Sequence, residues 1–283
     1  MPDLDTSTTR RIHVKISKKS IIFPILALAM TAANTPSYAA ETIHHEMKLI
    51  LTMAGIPVGK LAMAVNVANG YYSISGAGKA YGASKLFSNA KGTAQSSGRY
   101  LGNIITNTAH KLNYTTKKKR GSVDIKFGKS GVVKAVVSPA VKIKPGTIIV
   151  EPSHLKSVQD PVRTTIIAVN PSQIGNGAAI CNRTVPVYDG KNRFNIKMRF
   201  KGTRKVVTKG FKGLAYVCAV RYEPVAGHRP FKKHIKRLQA NKGMEIAMAR
   251  ISNSSLYGLI QFKVKTKYGT VVGKPSYYRT VSK

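Results

Sequence analysis

The chain has 283 residues with 47 Lys and Arg against 10 Asp and Glu, a net charge of +37, and 43% of its residues are hydrophobic. That apolar share excludes a disordered basic tail, which lacks the surface to offset the entropy of ordering, and no Gly period or sustained heptads support a collagen or a coiled coil. A stable, strongly cationic fold with a sizeable core remains.

Taken in chain order, the first segment reads as an address. Arg10, Arg11, Lys15, Lys18 and Lys19 precede an apolar run from Ile21 to Ala33, and Ser37-Tyr38-Ala39 then puts small residues at the positions a signal peptidase reads. The run falls short of the ~20 residues a membrane-spanning helix needs. The expectation is a signal peptide over 1–39 and a single β-rich domain over 40–283, delivered to the periplasm. Cleavage would remove five basic and two acidic residues and take the net charge from +37 to +34, so the targeting segment does not account for the basicity.

The rest of the chain is dominated by alternation. Leu61, Met63, Val65 and Val67 share one face, Asn69-Gly70 supplies the positive φ angles of a type I′ turn, and Tyr72, Ile74 and Gly76 continue beyond it. Further hairpins read through Lys117 to Gly121, Lys129-Ser130-Gly131 and Asp189-Gly190, and three more strand-like runs begin at Met244, Leu259 and Tyr268. Helix is scarce. Ala83 to Phe87 predicts one turn, and Asp160-Pro161 opens a candidate running to about Val169, with Asp as N-cap and Pro at N1. Pro139 to Pro152 reads as a long connection. The fold class expected is mostly β: an antiparallel sheet curled into a barrel or half-barrel, with one or two short helices.

Cys181 and Cys218 are an even pair in an oxidising compartment, which favours a disulfide, and both lie at the ends of strand-like runs; two buried free thiols are the other reading. No paired Cys or His at ligand spacing suggests zinc, and no metal or cofactor is expected. His44 and His45 are adjacent on a predicted strand and so face opposite ways.

The expected mature chain holds eight carboxylates, and Glu151 with Asp160 is the pair that could serve acid–base chemistry. His154 follows Glu151 in an irregular segment, and His228 sits in a Gly- and Pro-punctuated turn, where an imidazole can transfer a proton or meet an anion. No Gly-x-Ser-x-Gly elbow is present, and Gly76-Ala77-Gly78 lacks the helix and lysine of a phosphate loop. The basic clusters are louder. Lys117, Lys118, Lys119 and Arg120 form one run, Lys201 to Lys212 holds a second, and Lys232, Lys233 and Arg237 belong to a third. Such surfaces attract polyanions. In the expected compartment the fitting polyanion is anionic lipid or lipopolysaccharide, and nucleic acid is not expected there.

The run Cys181-Asn182-Arg183-Thr184-Val185-Pro186-Val187-Tyr188-Asp189-Gly190, followed by Arg193-Phe194, resembles the domain-of-unknown-function 3108 family of exported bacterial proteins. So do Ile56-Pro57-Val58-Gly59, Asp160-Pro161, and Val217-Cys218-Ala219-Val220-Arg221-Tyr222 running into Ala226-Gly227-His228. The resemblance covers about His44 to Gly273. It implies a periplasmic or envelope β protein and brings no reaction or catalytic residues with it. The leading expectation is a non-enzymatic protein that binds a lipid or envelope component. The alternatives are an envelope-polymer hydrolase using His228 or His154 with Glu151 or Asp160, and a structural envelope scaffold.

Overall fold

The computed structural model describes residues 42–86 and 89–282; the expected signal peptide lies outside them. Seven strands come first, β1 (Ile43–Met53), β2 (Ile56–Ala68), β3 (Tyr71–Ala80), β4 (Lys91–Leu101), β5 (Ile104–Thr115), β6 (Arg120–Gly128) and β7 (Gly131–Ser138). A long excursion leads to the short β8 (Ile166–Ala168) and the one-turn helix α1 (Gly177–Cys181). Then follow β9 (Arg183–Tyr188), β10 (Arg193–Thr208), β11 (Phe211–Ala226), helix α2 (Lys233–Ala240), β12 (Met244–Arg250), β13 (Leu256–Thr266) and β14 (Gly269–Ser282). Lys117 to Gly121 and Asp189-Gly190 connect strands as read from the sequence, and at Asn69-Gly70 both residues have positive φ (52° and 76°).

All these strands belong to one 14-stranded sheet in the order β7-β6-β5-β4-β3-β2-β1-β14-β13-β12-β11-β10-β9, with β8 alongside β13. The two halves of the chain meet where β1 pairs antiparallel with β14, Met47 opposite Tyr278. Alternation decides which side chains go inside: Ile43, His45, Met47 and Leu49 are buried while His44 and Lys48 are exposed.

The sheet is curled but not closed, because β7 and β9 share no ladder. The excursion spans the gap instead. Lys156 bridges to Gly131 and Gln159 to Val187. Three backbone bonds hold this strap: Ser157 N–H to the Ser130 carbonyl (2.9 Å), Gln159 N–H to Pro186 (2.8 Å) and Tyr188 N–H to Gln159 (2.9 Å). Val158 sits between them in a core with Val123, Ile125, Phe127 and Tyr188. Gly131 is required here: its φ is +145°, and a Cβ would lie 2.1 Å from the Leu155 carbonyl.

Three sequence readings are corrected. The helix expected from Asp160 to Val169 shrinks to a single 3-10 turn, Arg163–Thr165, followed by β8. Its N-cap is Val162 and not Asp160, although Asp160 Oδ1 accepts from the amides of Val162 and Arg163, and Thr164 and Thr165 turn their hydroxyls onto the carbonyls of Pro161 (2.7 Å) and Val162 (2.6 Å). Ile166 and Ile167 then pair with Gly258 and Tyr257 in β13, and such β-branched residues pack better there than in a helix. Cys181 ends α1 and not a strand, since Asn176 caps the helix by accepting from the amides of Ala178 and Ala179. The third basic cluster, read only as charge, contains α2, anchored by the buried Ile235.

Candidate functional site

A cleft of about 1110 Å³ runs across β1 to β6. Its lining includes one row of directly paired residues, Leu49, Leu61, Gly78, Gly92, Tyr114 and Gly121. Three of the six are glycines, so the middle of the row carries no side chains. The adjacent row, whose side chains point to the opposite face of the strands, is cationic. Lys60 lies opposite Lys79, Lys79 opposite Lys91, Lys91 opposite Thr115, and Thr115 opposite Arg120. Like charges directly across a ladder repel. Lys60 finds relief over the Tyr81 ring, 3.8 Å from its centroid, but among the described residues no Asp or Glu lines the cleft.

A second arrangement is buried. Asp160, at 0% exposure, accepts from Ser96 Oγ (2.7 Å), from the amides of Val162 (2.8 Å) and Arg163 (2.9 Å), and from Asn107 Nδ2. His110 Nδ1 lies 3.3 Å from Asp160 Oδ1 and 2.9 Å from the Gln95 carbonyl. Both neighbours are acceptors, so the proton sits on Nδ1. Tyr72 extends the network to Ser96, and burial pushes its phenol up to about 12. Arg163 gives one N–H to the Ile166 carbonyl (2.7 Å) and leaves Nε without a partner; burial lowers its pKa to about 10. The sequence reading missed Tyr72, Ser96, Asn107, His110 and Arg163. Ser96 and His110 are signalled only by a polar residue at an inward position of an alternating strand.

The remaining predicted residues are placed as follows. His154 and Glu151 meet through the main chain: the Glu151 amide donates to His154 Nδ1 (3.1 Å), and the His154 amide to the Glu151 carbonyl (3.0 Å). Arg193 Nε reaches the His154 carbonyl (3.1 Å) and ties this turn to β10. Asp160 is paired with His110 and not with either candidate histidine. His228 is 6% exposed, lines a separate cavity, and its Nδ1 has no partner among the described residues. Cys181 and Cys218 are joined in a disulfide, both fully buried in the core cluster with Ile180, Val185 and Met248. Lys117, Lys118 and Lys119 are exposed at the β5–β6 tip, and Arg120 lines the large cleft. Lys232 lines the cavity of His228, while Lys233 and Arg237 lie on α2. One basic cluster therefore touches the cleft and another the cavity.

In fold, the chain is similar to a solved structure described as a β-barrel-like protein of domain of unknown function DUF1849 from Brucella abortus. The two share 12% sequence identity and align with a TM-score of 0.52 over 86% of this chain and 99% of that one. No curated protein matches. Residues 46–274 match the family described as Protein of unknown function (DUF3108), and the chain belongs to that family.

Proposed function

We propose that the protein is an exported, non-enzymatic binding protein of the periplasm that holds an anionic amphiphile, a lipid or lipid-like envelope component, in the large cleft. The observation that carries this reading is the combination of size and lining: about 1110 Å³, a glycine-rich row beside Leu49 and Leu61, and the Lys60, Lys79, Lys91 and Arg120 row with no carboxylate to balance it. An acyl chain would lie along the glycine-rich face, and an anionic head at the rim of the cleft would meet the lysines that line it from the opposite face of the strands. The cationic surface also agrees with a compartment bounded by anionic lipid.

Native mass spectrometry on protein purified from cells without detergent, followed by lipid analysis, tests the reading. The expected result is a bound acidic lipid whose occupancy falls in Lys60→Glu/Lys79→Glu/Lys91→Glu while the fold is kept. Protein that carries nothing and binds no apolar probe would refute it. Export is tested on its own by the mass of the periplasmic chain, expected to begin at Ala40.

A further inference from the structure

A second cavity of about 400 Å³ lies between residues 141–150 of the excursion, the β9–β10 turn, the Gly227–Arg229 turn and the start of α2. Its walls are tied together by backbone bonds, Ile148 N–H to the His228 carbonyl (2.9 Å) and Gly227 N–H to the Ile148 carbonyl (2.7 Å). Ile143, Ile148 and Ile149 give it an apolar side. The rest is cationic: Lys142, Lys144, Lys191, Arg229 and Lys232 line it with His228 and His234, and among the described residues no Asp or Glu does. Asp189, the carboxylate beside the β9–β10 turn, is spent within it, accepting from the amides of Lys191 (2.9 Å) and Asn192 (2.6 Å) and from Asn192 Nδ2 (3.0 Å).

Two independent features here want an anion. The N-cap of α2 is Lys232, whose side chain caps nothing, and the first turn carries no acid. Ser, Thr, Asp or Asn would normally accept from the first amides, and a lysine instead adds charge to the positive end of the helix. The second feature is His228, more than nine-tenths buried, lining the same cavity and holding a ring nitrogen with no partner. A buried, unpartnered imidazole nitrogen is costly unless something bonds to it. A bound oxyanion would answer both and would offset the crowded lysines.

We propose that this cavity binds a phosphate-bearing ligand, held by His228, the first amides of α2, and the cations Lys191, Arg229 and Lys232. A phosphate suits it better than a carboxylate, since donors converge from three elements and a tetrahedral dianion offers more acceptors to meet them. The apolar side accepts a small organic body, and the cavity volume lies at the lower end of the range for ligand sites. The site is separate from the large cleft and does not depend on what that cleft holds.

The test is calorimetric titration of the full exported chain with inorganic phosphate and with glycerol phosphate, at fixed ionic strength in chloride. Flotation with vesicles of phosphatidylglycerol or phosphatidylcholine forms the second arm. Saturable binding is expected, weakened about tenfold or more in Lys232→Glu and in Arg229→Glu, the loss of one charge-assisted bond. It should be unchanged in Lys267→Glu, an exposed lysine that lines neither this cavity nor the large cleft. Binding of the soluble phosphates identifies a free ligand; binding of phosphatidylglycerol vesicles alone, lost in Lys232→Glu, identifies a lipid head group. His228→Ala probes the imidazole, and where it unfolds the two surface variants decide. Absence of saturable binding in both arms, or binding that both variants leave intact, would overturn the proposal.

Discussion

Replacing Asp160 by Ala removes the acceptor on which two parts of the fold converge. Ser96 and Asn107 reach it from β4 and β5, the Val162 and Arg163 amides reach it from the excursion, and His110 stands 3.3 Å away. At 0% exposure no water can take its place without the structure opening. Ser96 can rotate toward Tyr72, but Asn107, His110 and the two amides cannot all find new acceptors. Each stranded buried donor costs about 1–3 kcal/mol, and removing one partner of a buried, hydrogen-bonded charge typically costs about 3–5 kcal/mol in total. We expect Asp160→Ala to lose about 3–5 kcal/mol, a large share of the roughly 5–15 kcal/mol that a domain has. Asp160→Asn keeps an oxygen for the two amides but turns an NH2 toward Asn107, so about 2 kcal/mol is expected. Urea unfolding followed by circular dichroism reads both as shifts in midpoint at constant slope. An Asp160→Ala variant within about 1 kcal/mol of the parent would show that the network does not hold the excursion to the sheet, and the reasoning would fall.

Two other outcomes follow from buried groups. His45 donates or accepts at Thr280 Oγ1 (2.9 Å), packs edge-on to Tyr278, and is held by burial at about 4, below the ordinary imidazole value of 6.5. Above pH 6.5 both folded and unfolded forms are neutral there. As the pH falls from 6.5 to 4 only the unfolded chain takes the proton, so about 3 kcal/mol of stability is lost across that window. His45→Asn should flatten this dependence in urea midpoints measured from pH 7 to pH 4, and parallel curves for the two proteins would disprove it. For the disulfide, alkylation of the unfolded protein without reductant should label no thiol. Reduction should cost about 4 kcal/mol, the entropy of releasing a loop with its ends 37 residues apart. Two labelled thiols before reduction would contradict the bond.

Much of the fold could be read locally. Asn69-Gly70 dictates the turn, and that turn's register alone puts Lys60 opposite Lys79. The next step could not be read, because the connection between β3 and β4 has no fixed turn chemistry and sets Lys79 opposite Lys91 only through the folded sheet. The same limit hid the site residues. His110 and Asp160 stand 50 positions apart in sequence and meet because β5 and the excursion pack together. Cys181 was legible as a disulfide partner but not as a helix end, since that depends on Asn176 capping a single turn. Asp160 was legible as an acceptor for the amides that follow it, whereas the turn's N-cap fell to Val162 and its length was decided by pairing with β13.

The meeting of β1 and β14 has a topological consequence. Ile43 lies opposite Ser282, so the start of the first strand and the end of the last are neighbours. If these two positions were joined by a short loop and the chain were reopened within the excursion, every main-path strand from β9 through β14 and on from β1 to β7 would neighbour its predecessor. The sheet is thus a simple up-and-down meander whose cyclic order has been cut in the middle. The one distant pairing on its main path reflects where the cut falls and not how those strands are arranged. In the natural chain β1 must wait for the last strand to be made before its second edge is covered, and this raises the contact order. A circular permutant with the cut moved to the strap should keep the fold and reach it sooner.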